Sequence, residues 1–179
     1  MDCLSFRIMA YRNTSTSPVR IVGIGSAHGA DQIGWLAARQ LDAAGLKESY
    51  PENLLDIDIC ESPVLLVTQC SARQALILLD AYCSGEPVGS VRRFTVEDLD
   101  TAHRPASSHG IDLKQALALR KSLEGGNPPV SIIGICIGTE ADAAANQTPG
   151  EVLEKTFPAL LDAIDKDIQE FITSASTAW

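Results

Sequence analysis

An α/β domain, a three-layer α/β/α sandwich with a mostly parallel sheet and an edge strand, is predicted by three observations. Strand-length apolar runs alternate with helical stripes along the chain. The run Ala75-Leu76-Ile77-Leu78-Leu79 is apolar at every position, as in a parallel strand covered on both faces. Ser90 to Val96 carries Arg92 and Arg93 inside a strand-like stretch, which suits an edge that water can reach. At 179 residues and 45% hydrophobic content the chain can build one substantial core but not two comfortable ones. Residues 19-173 therefore read as a single domain, and 1-18, which lack a sustained period, as a flexible N-terminal extension.

Val19 to Gly25 is the first strand. It runs through Gly23-Ile24-Gly25 into a glycine-bearing turn, and Ile33, Leu36, Ala37, Leu41 and Ala44 then outline a helix that Gly45 stops. Leu55, Ile57 and Ile59 alternate with Asp56 and Asp58, the period of a strand with one wetter face. Ser62-Pro63 follows as a helix cap and first-turn proline, predicting a short helix to about Cys70. The apolar run 75 to 79 is expected to end abruptly at Asp80, putting a carboxylate at a strand end. Gly85 to Gly89 marks a turn, and an irregular loop from Leu99 to Gly110 carries His103, Arg104 and Ser107-Ser108-His109-Gly110. Leu113, Ala116, Leu117 and Leu123 predict a helix ending at Gly125-Gly126, and Val130 to Ile137 a further strand. Thr148-Pro149-Gly150-Glu151 has the form of a capping box, opening a long amphipathic helix that Pro158 is expected to kink or divide.

Charge excludes one class of partner. Lys and Arg number 14 against 23 Asp and Glu, a formal net charge of -9, and no basic run exists to neutralise phosphates, so no nucleic acid is expected. The five cysteines are scattered and include no Cys-x-x-Cys pair, which predicts reduced, mostly buried thiols. The N-terminal stretch has no clear apolar signal region and no run is long enough to span a bilayer, so a cytoplasmic protein with no membrane partner is expected.

Three side chains stand out by position: Asp31 in the first strand-to-helix turn, Asp80 after an apolar strand, and His109 just before a helix. In an open α/β sheet all three can converge on one crevice beyond the carboxyl ends of the strands. Two carboxylates and an imidazole suit a borderline divalent metal such as nickel or zinc. Each residue also has a structural alternative: Asp31 as a helix cap, Asp80 as a turn residue, His109 as a partner for backbone. A lone Gly-x-Gly likewise often does no more than permit a tight turn, and the dinucleotide fingerprint is missed because His28 stands where its third glycine belongs. The serine elbow pattern is absent around Ser26, and neither Cys70 nor Cys83 lies in a recognisable Cys/His arrangement.

Gly23-Ile24-Gly25 with Gly29-Ala30-Asp31-Gln32-Ile33-Gly34, then Leu78-Leu79-Asp80-Ala81 with Gly85 to Gly89, then Ser107-Ser108-His109-Gly110, together resemble the nickel-iron hydrogenase maturation endopeptidases, from about Val19 to about Phe171. The resemblance implies a peptidase that removes the C-terminal extension of the hydrogenase large-subunit precursor after nickel insertion. It also implies that Asp31, Asp80 and His109 bind a nickel held by the substrate, with no permanent cofactor in the enzyme. The family's first motif commonly reads Gly-x-Gly-Asn followed by two acidic residues, the second being the ligand. Here Ser26 replaces the asparagine and one acid remains; a loop one residue shorter puts Asp31 in the ligand position, whereas without that gap Gln32 would hold it. A carboxylate is the better ligand, which favours the gap. Ile59-Cys60-Glu61-Ser62 also replaces a usual glycine-rich turn. A second class of function is a non-catalytic, chaperone-like module of the same fold that binds a metallo-subunit or a nucleotide without cutting it. The joint presence of Asp31, Asp80 and His109 favours the peptidase.

Overall fold

The computed structural model describes residues 17–26, 29–71, 74–100, 112–124, 129–139 and 148–176. Its elements are β1 (Val19–Ile24), α1 (Ile33–Ala43), β2 (Leu55–Cys60), α2 (Leu66–Gln69), β3 (Ala75–Tyr82), β4 (Val91–Phe94), α3 (Leu113–Glu124), β5 (Val130–Cys136) and α4 (Pro149–Ser176). The five strands form one sheet in the order β2-β1-β3-β5-β4, parallel except for β4, which runs antiparallel to β5 at the edge. This is the predicted α/β/α sandwich, with the apolar strands β1, β3 and β5 central and the Arg-bearing strand outermost.

Every residue of β1 and β3 is buried, because helices cover both faces. On one face Ile21, Ile77, Leu79, Ile133 and Ile135 pack with Ile33 and Leu41 of α1 and Leu160, Ile164 and Ile168 of α4. On the other, Val22, Ile24, Leu76, Leu78 and Ile132 pack with Leu66 of α2 and Leu113 and Leu117 of α3. The chain winds from β1 through α1 to β2 on the first face, then returns through α2 on the second face to β3 on the far side of β1. The winding therefore reverses between β1 and β3, which opens a crevice beyond their carboxyl ends.

Local signals act as expected at two helix ends. Beyond α1, Gly45 takes φ +75°, its N–H reaching Asp42 O at 3.1 Å and that of Leu46 reaching Leu41 O at 3.2 Å, a Schellman stop. At α4 the Thr148 N–H meets Glu151 Oε2 at 3.0 Å and the Glu151 N–H meets Thr148 Oγ1 at 3.4 Å, the reciprocal bonds of a capping box.

Two expectations are corrected. Pro158 does not divide the last helix, which runs unbroken from Pro149 to Ser176. Pro158 and Glu154, whose carbonyl loses its helical partner, both lie on the exposed face, where water can serve that carbonyl. Asp80 is not a strand terminus either, since β3 continues to Tyr82. Pairing with β1 stops at Gly23 and Leu79, but pairing with β5 carries on to Tyr82 and Cys136 and keeps the backbone extended.

Candidate active site at the sheet switch point

Glycines hold the first turn against the strand ends. A Cβ at Gly23 would stand 2.2 Å from Gly34 O, and one at Gly34 would stand 2.2 Å from Ile24 O and 2.6 Å from Leu79 O. The start of α1 thus touches both β1 and β3 through bare backbone. Gly25, at φ +156°, has Asp31 O in the space its Cβ would need, and Gly29, at φ +61°, opens the 3-10 turn Gly29–Gln32. Cys60 O, at the end of β2, accepts the Gly25 N–H at 3.3 Å and the Trp35 indole N–H at 3.0 Å, fixing turn and helix to the neighbouring strand.

Asp31 is half-buried in that turn, two residues before α1, and the helix cap position is Gln32, which makes no side-chain cap bond. Gln32 instead donates through Nε2 to Gly29 O at 2.8 Å, a bond internal to the turn. The turn that carries Asp31 is therefore placed at the carboxyl end of β1.

Asp80 is 5% exposed, and its Oδ1 accepts the Ala81 N–H at 2.8 Å. It stands one residue past the end of the β1 ladder and opposite Gly134 on β5. Asp80 is thus a carboxylate held within the sheet layer, among apolar strand residues. Its neighbours in the alternation, Leu78 and Tyr82, belong to the α2/α3 face, and the first residue of α3, Leu113, is fully buried in that same layer. His109, together with His28 and His103, lies outside the described residues. Among the described residues no three His, Cys, Asp or Glu side chains form a metal-capable group.

Strands and helices are also tied together by residues that sequence reasoning did not single out, Arg20 near the amino ends of the parallel strands and Tyr82 at the carboxyl end of β3. Arg20, 2% exposed, bonds the Asp58 carboxylate and Gln69 O and lies 3.8 Å from Asp56, joining β1, β2 and α2. Asp56 and Asp58 were legible as a wet face, yet nothing local marks Arg20 as their partner. Tyr82, also missed, donates to Glu86 Oε2 at 2.7 Å. Cys60, Cys70, Cys83 and Cys136 are buried thiols, as expected, and burial pushes the Cys70 thiol up to about 11. Such thiols are poor nucleophiles near neutral pH.

A family model described as HycI: Hydrogenase maturation protease matches residues 43–166. The chain belongs to the hydrogenase maturation protease family. The match spans Asp80 and His109 and begins after Asp31, so it does not depend on the glycine-bearing turn. Solved structures of maturation proteases share the fold. The solution structure of an endopeptidase HycI from Escherichia coli is 17% identical, covers 78% of this chain and 86% of its own, and aligns with a TM-score of 0.53. HycI from Thermococcus kodakarensis KOD1 is 23% identical over 74% of this chain and 87% of its own, at a TM-score of 0.50. HybD from Thermococcus kodakarensis is 18% identical over 79% and 97%, at 0.51. No curated protein matches the chain. Within the described residues of this maturation protease no helix is long and apolar enough to cross a membrane.

Proposed function

We propose that this maturation protease removes the C-terminal extension of a nickel-iron hydrogenase large-subunit precursor once nickel is in place, using the substrate's nickel as its recognition element. The observation that carries this reading is Asp80: a carboxylate 5% exposed, at the point where the sheet's winding reverses and next to the turn that holds Asp31. In this proposal Asp31, Asp80 and His109 supply two oxygens and a nitrogen to a metal that the precursor also ligates. The metal polarises the scissile carbonyl or a water, and the enzyme keeps no permanent cofactor. Carboxylates without a thiolate make a weak resident site for a soft or borderline ion, which suits a site that must release its metal with the product. The free buried thiols suit a reducing compartment such as the cytoplasm, where we place the reaction.

The test is incubation of the protein with precursor loaded with nickel and precursor without it, tail loss being read by mass. Cleavage of the loaded form alone is expected. Because His109 must be neutral to bind, the rate should also fall as pH drops below about 6.5, the ordinary histidine value. Equal cleavage of both forms would remove the recognition role, and cleavage of neither would remove the peptidase reading.

A further inference from the structure

At the end of the sheet away from the crevice, α4 and the connection from α1 to β2 enclose an open groove of about 590 Å³. Leu46, Tyr50, Leu161 and Ile172 give it an apolar lining that rests on the core, and Asp162 and Asp165 of α4 form an acidic rim. Both carboxylates are on exposed positions, and among the described residues neither is in an ion pair. Asp165 accepts only the Tyr50 hydroxyl, and Lys47, the cation of the connection, is taken by Asp42 at 2.6 Å.

The chain enters the sheet beside this groove. The Val19 N–H meets Leu54 O at 3.1 Å, the Leu54 N–H closes a turn on Pro51 O at 3.0 Å, and Val19 shares a core layer with Leu46. Residues 1–16 lie outside the described residues, but their sequence complements the groove. They carry Leu4, Phe6, Ile8, Met9 and Tyr11, and they set Arg7 and Arg12 against the one acid Asp2 in a chain whose net charge is -9. Pro51, on the groove's near wall, is one strand pairing and one turn away from the start of β1. Arg12, five residues before Ser17, can reach about 17 Å, and Arg7 about twice that.

We propose that the groove seats residues 4–12 of this same chain, with Phe6 and Ile8 on the apolar lining and Arg7 and Arg12 on Asp162 and Asp165. The lining is small for a free partner, since a stable protein–protein contact buries about 1,200 Å² or more. A tethered segment binds at an effective concentration of about a millimolar and needs far less. The seated segment ties the start of the chain to its last helix.

Amide hydrogen exchange of the full chain, read by mass over residues 4–12, tests this, with a synthetic peptide of residues 1–16 as the reference. Exchange in the wild type should be about tenfold slower than in the peptide and independent of protein concentration. The double variants Asp162→Asn/Asp165→Asn and Arg7→Gln/Arg12→Gln should each lose about two- to fivefold of that protection, as should the wild type in high salt. Phe6→Ser should bring exchange close to the peptide's rate, since apolar burial carries most of the docking. The arginine and phenylalanine variants lie ahead of β1, so their effect is read without loss of the fold. Exchange at the peptide's rate in the wild type, or protection that none of the variants reduces, would overturn the proposal. So would protection of residues 46–51 and 161–172 that grows with protein concentration, which would assign the groove to a second copy, or that needs added precursor, which would assign it to that partner.

Discussion

At the scale of single residues, polar groups in this protein are buried where they join elements or face the crevice. On the central strands the buried charged residues among those described are Arg20 and Asp80: the first bonds across to β2 and α2, the second stands where the β1 ladder has ended. Tyr50, half-buried before β2, likewise joins two elements. Its hydroxyl donates to the Asp165 carboxylate of α4, and burial, reinforced by that carboxylate, pushes its pKa up to about 12. An unfolded tyrosine titrates near 10. The folded state therefore keeps a proton that the unfolded chain loses, so the stabilisation is complete below about pH 10 and is lost as pH rises toward 12. Urea unfolding of wild type and Tyr50→Phe at pH 9 and 11 checks this. The wild type should lose more stability than the variant over that interval; an equal loss would mean that Tyr50 does not carry the alkaline sensitivity.

At the scale of elements, the site depends on how closely α1 approaches β1 and β3. Gly34 has no room for a methyl, with backbone oxygens 2.2 Å and 2.6 Å from its would-be Cβ, whereas a Cβ at Gly29 meets nothing within 4 Å and only its φ of +61° resists a side chain. Gly34→Ala should thus cost about 3 kcal/mol and pull the turn off the strand ends, while Gly29→Ala should cost about 1 kcal/mol. Denaturant unfolding of the two variants measures both, and a costlier Gly29→Ala would contradict the packing described. Much at this scale was legible in the sequence because the signals are local: the apolar run from Ala75, the alternation of Leu55 to Ile59, the stop at Gly45, the box at Thr148. Where sequence reasoning went astray, a distant partner decided the outcome. Asp80 looks like a strand terminus until β5 is laid beside it, and the weakness of Pro158 as a breaker follows from an exposed helix face.

At the scale of the whole molecule, the order β2-β1-β3-β5-β4 collects residues that the chain spaces widely, Asp31 from the first turn and Asp80 from the middle strand, at one reversal of winding. The place of Asp31 was legible because a glycine-bearing turn is a local feature. The Tyr82, Glu86 and Arg92 cluster was not, since it forms only when β4 pairs antiparallel beside β5. If Asp31 and Asp80 act as one site, a double-mutant cycle exposes their coupling. Rates of tail loss from nickel-loaded precursor are measured by mass for wild type, Asp31→Asn, Asp80→Asn and the double variant, each first shown to unfold cooperatively. Groups that act as a unit should lose about 100-fold or more singly, with the double variant little slower than the slower single one. Losses that multiply, or near-wild-type rates in either single variant, would contradict the shared site.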